Sequence, residues 1–171
     1  MYQFLSIDVS LRTNSNQPIR HPNFYQMNVT EIGPGIIFRE DGLNVEAFLV
    51  KHGDVKPAFG YKITTEDKSI VISGDTSPSD VLAEKAKGVD PLFHEVISDK
   101  GLQSLPKVWQ NYMLRSHSKA SDVGKIAARA KPGKLILYHA LFYAAPEQSV
   151  VKEASKYFSG EIILAEDLDQ F

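Results

Sequence analysis

Four side chains able to ligate a metal or move a proton stand directly after apolar, strand-like runs. His52 follows Phe48-Leu49-Val50-Lys51, Asp75 follows Ile70-Val71-Ile72-Ser73-Gly74, His94 follows Pro91-Leu92-Phe93, and His139 follows Leu135-Ile136-Leu137-Tyr138. Neutral imidazole and carboxylate are the usual zinc donors where thiolates are missing, and this chain has no cysteine. A single histidine at a strand end is ordinarily structural. Asp75 alone, ahead of Thr76-Ser77-Pro78, reads more readily as a residue that caps the next helix than as a functional one. Three histidines and an aspartate leaving strands in the same manner point instead to a site at the carboxyl ends of a sheet. Their spacings are too long for a local motif, so the chemistry exists only where the strand ends converge in space.

The elements that must achieve this follow from hydrophobic period and punctuation. Residues 1–13 carry Phe4, Leu5, Val9 and Leu11 with Asp8 and Arg12 four apart, a pattern that predicts a helix. Residues 13–23 form a polar, proline-broken loop that includes His21, and residues 27–31 read as a short strand stopped by Gly33-Pro34-Gly35. Residues 36–38 and 43–51 are strands about an Asp41-Gly42 hairpin turn, and residues 57–65 and 69–73 are further strands. Ser77 is the expected N-cap, with Pro78 at the first position of a helix running to about Lys87 before Gly88. A short strand ends in His94-Glu95, and residues 100–116, with the only tryptophan, Trp109, read as irregular or partly helical. Ser118 is expected to cap a helix with Ala120, Val123, Ile126, Ala127 and Ala130 on one face. A buried strand over 134–138 follows. A helix from Pro146 then places Val150, Ala154 and Tyr157 on one side, and the last strand covers 161–164. A strand-rich first half and an alternating second half predict one α/β domain over 1–171, with sheet layers covered by helices.

Bulk properties narrow the function. With 171 residues, 43% hydrophobic and 23% charged, the chain suits a soluble globular domain. A net charge of −2 offers no electrostatic case for nucleic acid as the main partner, while leaving room for a local basic patch. Disulfides, thiolate zinc sites and a cysteine nucleophile are excluded. No stretch has the length of a membrane span, so no membrane partner is expected, and the first 30 residues lack a signal-peptide layout. A cytoplasmic location is the expectation.

The runs Val50-Lys51-His52, Phe59-Gly60-Tyr61-Lys62-Ile63, Ser73-Gly74-Asp75-Thr76 and Phe93-His94-Glu95 come in that order. They are followed by His117-Ser118, Ala127-Ala128-Arg129-Ala130-Lys131-Pro132, Leu135-Ile136-Leu137-Tyr138-His139 and Asp167-Leu168-Asp169. Together they resemble the metallo-β-lactamase fold, in its ribonuclease Z-like and arylsulfatase-like branch, from about Met27 onward. The resemblance implies an α/β half of an αββα sandwich, a mixed sheet with helices on its outer face. It implies that His52 ligates one zinc, Asp75 bridges two and His139 ligates the second. His117 would stand over the reaction centre, oriented by Glu95, and His94 would support the site. The implied chemistry is hydrolysis of a phosphoester, sulfate ester or acyl group, so the implied partner is a small-molecule or ester substrate.

Two departures qualify what the resemblance implies. The family's His-x-His-x-Asp-His motif is missing, because the histidines here are His21, His52, His94, His117 and His139. The chain thus looks like a carboxyl-terminal half, and three ligands shared between two metals should hold zinc weakly. Second, only residues 62–72 separate Tyr61 from Ser73, where tRNA-processing members carry an inserted arm. With the acidic net charge, this leads to the expectation that tRNA is an unlikely partner. Two function classes follow: part of a zinc-dependent hydrolase completed by its amino-terminal half, or a non-catalytic remnant serving as a binding or oligomerisation module. Both predict association, with the missing half or with a second copy, to cover the exposed sheet face.

Overall fold

The computed structural model describes residues 29–171. The chain divides into a unit Met1–Ile32 and a unit Gly33–Phe171, and the architecture below is that of the second. The predicted amino-terminal helix and the loop with His21 lie outside the described residues. Residues 29–31, at the end of the predicted first strand, are not in a strand. Pairing begins only at Gly35, after Pro34, which has no N–H to offer a ladder.

Seven strands form one sheet in sequence order: β1 (Gly35–Glu40), β2 (Leu43–His52), β3 (Val55–Thr64), β4 (Ser69–Ile72), β5 (Pro91–Ile97), β6 (Lys134–Leu141) and β7 (Glu161–Leu164). The β1–β2 turn has positive φ at both Asp41 (46°) and Gly42 (79°), the requirement of a two-residue hairpin that matches the strands' twist. From β1 to β4 each strand is antiparallel to its neighbour, and from β4 to β7 each is parallel to its neighbour. Since β2 and β4 are both antiparallel to β3, strands β2, β4, β5, β6 and β7 all point one way.

Parallel neighbours require crossovers, and these are helical. Helix α1 (Asp80–Lys85) joins β4 to β5, and α5 (Ser149–Ala154) joins β6 to β7. Between β5 and β6 run α2 (Asp99–Gln103), α3 (Lys107–Ser116) and α4 (Ala120–Ala130). Leu82 and Ala83 of α1, Val123, Ile126 and Ala127 of α4 and Val150 of α5 pack in one core with Phe48, Val71, Leu92, Val96, Leu135 and Leu137 of the sheet. The sheet members are spaced by even numbers of residues, Leu135 and Leu137 two apart on β6 and Leu92 and Val96 four apart on β5, as one face of a strand dictates. Each fully buried leucine or valine stabilises the fold by about 1.5–3 kcal/mol. The result is a mixed sheet in an α/β layer, as expected.

Some local expectations are corrected. Ser79, not Ser77, caps α1, accepting from Leu82 N at 3.3 Å. Ser77 is held instead to β2, its N–H donating to Lys51 O at 2.7 Å and its hydroxyl to the same oxygen at 3.3 Å. Ser118 does not cap α4, because its hydroxyl donates to Thr76 O at 2.7 Å. Asp99 satisfies the first turn of α4 from outside, accepting from Ser121 N at 2.9 Å and Ser121 Oγ at 2.6 Å. Helix α5 ends at Ala154, so Tyr157 is exposed and Phe158 fills the core beneath it. Among the described residues, no helix is long and apolar enough to cross a membrane.

Candidate metal centre

Strand direction decides what can meet. The carboxyl ends of β2, β4, β5 and β6 share one edge of the sheet, and His52 is the last residue of β2. Asp75 follows β4 after Ser73 and Gly74. Gly74 has φ of 60°, and a Cβ placed there would lie 2.4 Å from Phe59 O, so only glycine lets the chain turn here.

His139 lies within β6, not after it. Glu95 pairs with Tyr138 and Val96 with Ala140, which leaves His139 as the extra residue of a bulge with φ of 44°. A bulge re-aims one side chain while pairing continues on both sides. His94 and Glu95 likewise lie inside β5, which runs on to Ile97 because its partner β6 continues past the bulge. His117 arrives from another direction, at the carboxyl-terminal cap of α3, with its N–H donating to Met113 O at 2.7 Å. The following residues return to β5, where Ile97 N donates to Ser118 O at 2.9 Å.

The donor atoms of His52, Asp75 and His117 lie within 4.8 Å of one another. His139 joins this group through Asp75, its Nε2 being 3.4 Å from Asp75 Oδ2. The His117 ring centroid is 5.3 Å from that of His52 and 6.0 Å from that of His139. His52 Nδ1 is 2.9 Å from Ser116 O. A carbonyl only accepts, so Nδ1 carries the proton and the other ring nitrogen keeps its lone pair. His117 Nδ1 is turned to Glu95 Oε2 at 3.4 Å, leaving its other nitrogen outward. His52, held through one nitrogen by a carbonyl, is in the usual state of a metal-bound imidazole, whereas His117 faces a carboxylate that favours its protonated form. The donor set therefore fits a cation that accepts nitrogen and carboxylate oxygen, zinc among them.

Glu95 is the buried anchor of the site. Its Oε1 accepts from Ser118 N at 2.8 Å and Thr76 N at 3.3 Å, tying the loop after β4 to the loop after α3. Its Oε2 and His117 Nδ1 are both buried at ion-pair distance without the alignment of a hydrogen bond. Proximity to the Glu95 carboxylate raises the His117 pKa above 6.5, against a smaller opposing effect of burial and with help from Asp75. His94 belongs to no metal group of the described residues. It is fully buried, its Nδ1 lies 2.7 Å from Glu95 O, and burial lowers its pKa, so it is neutral with the proton on Nδ1.

Thr76, Ser116 and Ser118 were not readable as site residues. Thr76 and Ser118 act on Glu95 through backbone N–H groups, and Ser116 acts on His52 through its carbonyl, so none leaves a side-chain signature. The repeated Ser/Thr character of Thr76 and Ser118 was the one available hint.

No protein-family model matches the chain. In sequence it is similar to a putative ribonuclease Z of Mycobacterium tuberculosis, strain CDC 1551 / Oshkosh, 30% identical over 144 residues that cover 83% of this chain and 64% of the relative. The chain spans 51% to 64% of the length of the first relatives it matches. In structure it is similar to the metallo-β-lactamase fold protein YhfI from Bacillus subtilis, with TM-score 0.63 and 22% identity over 75% of this chain and 49% of that one. Human tRNase Z, short form, matches with TM-score 0.55 and 22% identity over 78% of this chain and 43% of that one. At such identity these two likenesses concern the fold.

The expectation that tRNA is an unlikely partner is overturned by these relatives, several named ribonuclease Z. A net charge averaged over the whole chain says little about one cleft, and a missing arm removes one contact surface and leaves others. The chain has the metallo-β-lactamase fold and is similar in sequence to ribonuclease Z, over the carboxyl-terminal part of that pattern.

Proposed function

We propose that this chain carries the carboxyl-terminal part of a metal-dependent phosphodiester hydrolase acting on RNA, with zinc as the metal. The observation that carries the reading is the approach of His52, Asp75 and His117 donor atoms within 4.8 Å at one sheet edge, with His139 against Asp75. The likeness to ribonuclease Z supports a phosphodiester over a sulfate ester or acyl group. His52, Asp75 and His139 would hold the metal, which supplies Lewis-acid polarisation and a water of lowered pKa. These donors are fewer than two metals need, and the sequence contains no His-x-His-x-Asp-His motif to complete them.

His117 has the role of proton donor to the leaving oxygen. Its raised pKa keeps it protonated nearer neutral pH, and the buried Glu95 holds its ring.

The test is complementation. The purified chain is mixed with the amino-terminal segment of a ribonuclease Z that carries the motif, and cleavage of an oligoribonucleotide is followed with zinc present. Cleavage in the mixture, lost in Asp75→Asn and in His117→Ala, is the expected result. Cleavage undiminished by Asp75→Asn overturns the proposal.

A further inference from the structure

We propose that a basic cleft beside His52, continued by the outer face of α3, is a track for single-stranded nucleic acid, a site that rests on the phosphodiesterase reading above and gives it a substrate path. The cleft, about 320 Å³, lies between the β2–β3 hairpin and the end of α3, and His52 is part of its wall. Lys51, Lys56 and Arg115 also line it, and no carboxylate does. Arg115 pairs with Asp54, whose Oδ1 is 2.7 Å from Arg115 Nη2. That pair is exposed at 61% and 89%, a setting in which an ion pair is weak and a phosphate can take the guanidinium instead.

Helix α3 extends the track. Its sequence, KVWQNYMLRS, contains no acidic residue. Tyr112 lies one helical turn before Arg115, on the same stripe, and Trp109 one turn before Tyr112. Both rings are exposed, at 56% and 52%, and they meet edge to face with centroids 5.8 Å apart. A surface that shows two large aromatics beside three cations matches the needs of a single strand: cations for the phosphates and rings for the bases. A duplex would hide its base faces from these rings. The β2–β3 hairpin is fixed against α3 by Gly53, whose N–H donates to Arg115 O at 2.9 Å, so cations and rings belong to one rigid surface.

Trp109 is the only tryptophan, so its emission reports on this face alone. The full chain is titrated with a single-stranded oligouridylate of about twelve nucleotides in EDTA, so that neither metal nor turnover contributes. Saturable quenching is expected, with affinity falling as salt rises by a log–log slope of about −0.7 for each phosphate neutralised. Tyr112→Ala should weaken binding about tenfold. Lys51→Ala and Lys56→Ala should each lower the slope by about 0.7. Because all three side chains are on the surface, circular dichroism of the variants should match the parent.

Unchanged emission at saturating oligonucleotide, or affinity indifferent to Tyr112→Ala, overturns the proposal. Emission that responds to protein concentration but not to the oligonucleotide overturns it in favour of a protein partner on this face. Binding on the track without cleavage in the complementation mixture would uphold this inference and refute the phosphodiesterase reading. Cleavage without any Trp109 response would do the reverse.

Discussion

Glu95 offers the sharpest separation of a positioning role from a packing one. Its Oε1 receives two buried amides, Ser118 N and Thr76 N, and its Oε2 faces His117. Hydrogen bonds to a charged acceptor are worth about 1.5–3 kcal/mol each. Glu95→Ala removes both and leaves two buried donors unmet, a loss of about 3–6 kcal/mol. That is a large part of the about 5–15 kcal/mol typical of a domain. Glu95→Gln keeps an acceptor for both amides and should cost only about 1–2 kcal/mol, the charge assistance being lost. The assay is urea unfolding followed by circular dichroism, with His117 titrated by NMR in the metal-free chain. In Glu95→Gln the His117 pKa should fall, because the carboxylate that raises it has gone. A raised folded pKa gives stabilisation that is fully present below the ordinary value of 6.5 and lost as pH rises through the folded value, so the gap between parent and Glu95→Gln should narrow at higher pH. Equal destabilisation by Ala and Gln, or an unmoved His117, would refute the reasoning.

Gly74→Ala forces a left-handed backbone on alanine, about 1–2 kcal/mol, and sets its Cβ 2.4 Å from Phe59 O, so β3 and β4 must part locally. A drop of about 2–4 kcal/mol in urea unfolding, together with weaker metal binding, is expected. His94 has a lowered folded pKa, so the unfolded chain binds the extra proton between that value and 6.5, and stability should fall as pH drops below 6.5. His94→Gln should flatten this acid-side slope in unfolding curves taken across that range. Leu137→Ala, in the sheet core, should cost about 2–5 kcal/mol, read from the shift of the urea midpoint.

The fold was readable where a residue's own chemistry settles its conformation. Asp41-Gly42 announced a hairpin because both positions need positive φ, and the apolar face of α4 followed from the spacing of Val123, Ile126, Ala127 and Ala130. Helix starts were misread where a serine had a competing partner. Ser77 is tied to Lys51 and Ser118 to Thr76, and no local pattern carries a contact so distant in sequence. The bulge at His139 was hidden for the same reason, since it exists only relative to β5. The five candidate site residues do come to one region, but the tight group is His52, Asp75 and His117, with His139 joined through Asp75. That arrangement depends on α3 returning to the end of β5, through a stretch whose helices the pattern only half revealed.

If Asp75 and its histidines form a metal site short of donors, calorimetric titration of the chain with zinc will show it. Weak binding is expected, with Kd above the micromolar range, abolished by Asp75→Ala while circular dichroism stays unchanged. Two zinc ions bound with sub-micromolar affinity, or binding untouched by Asp75→Ala, would contradict it.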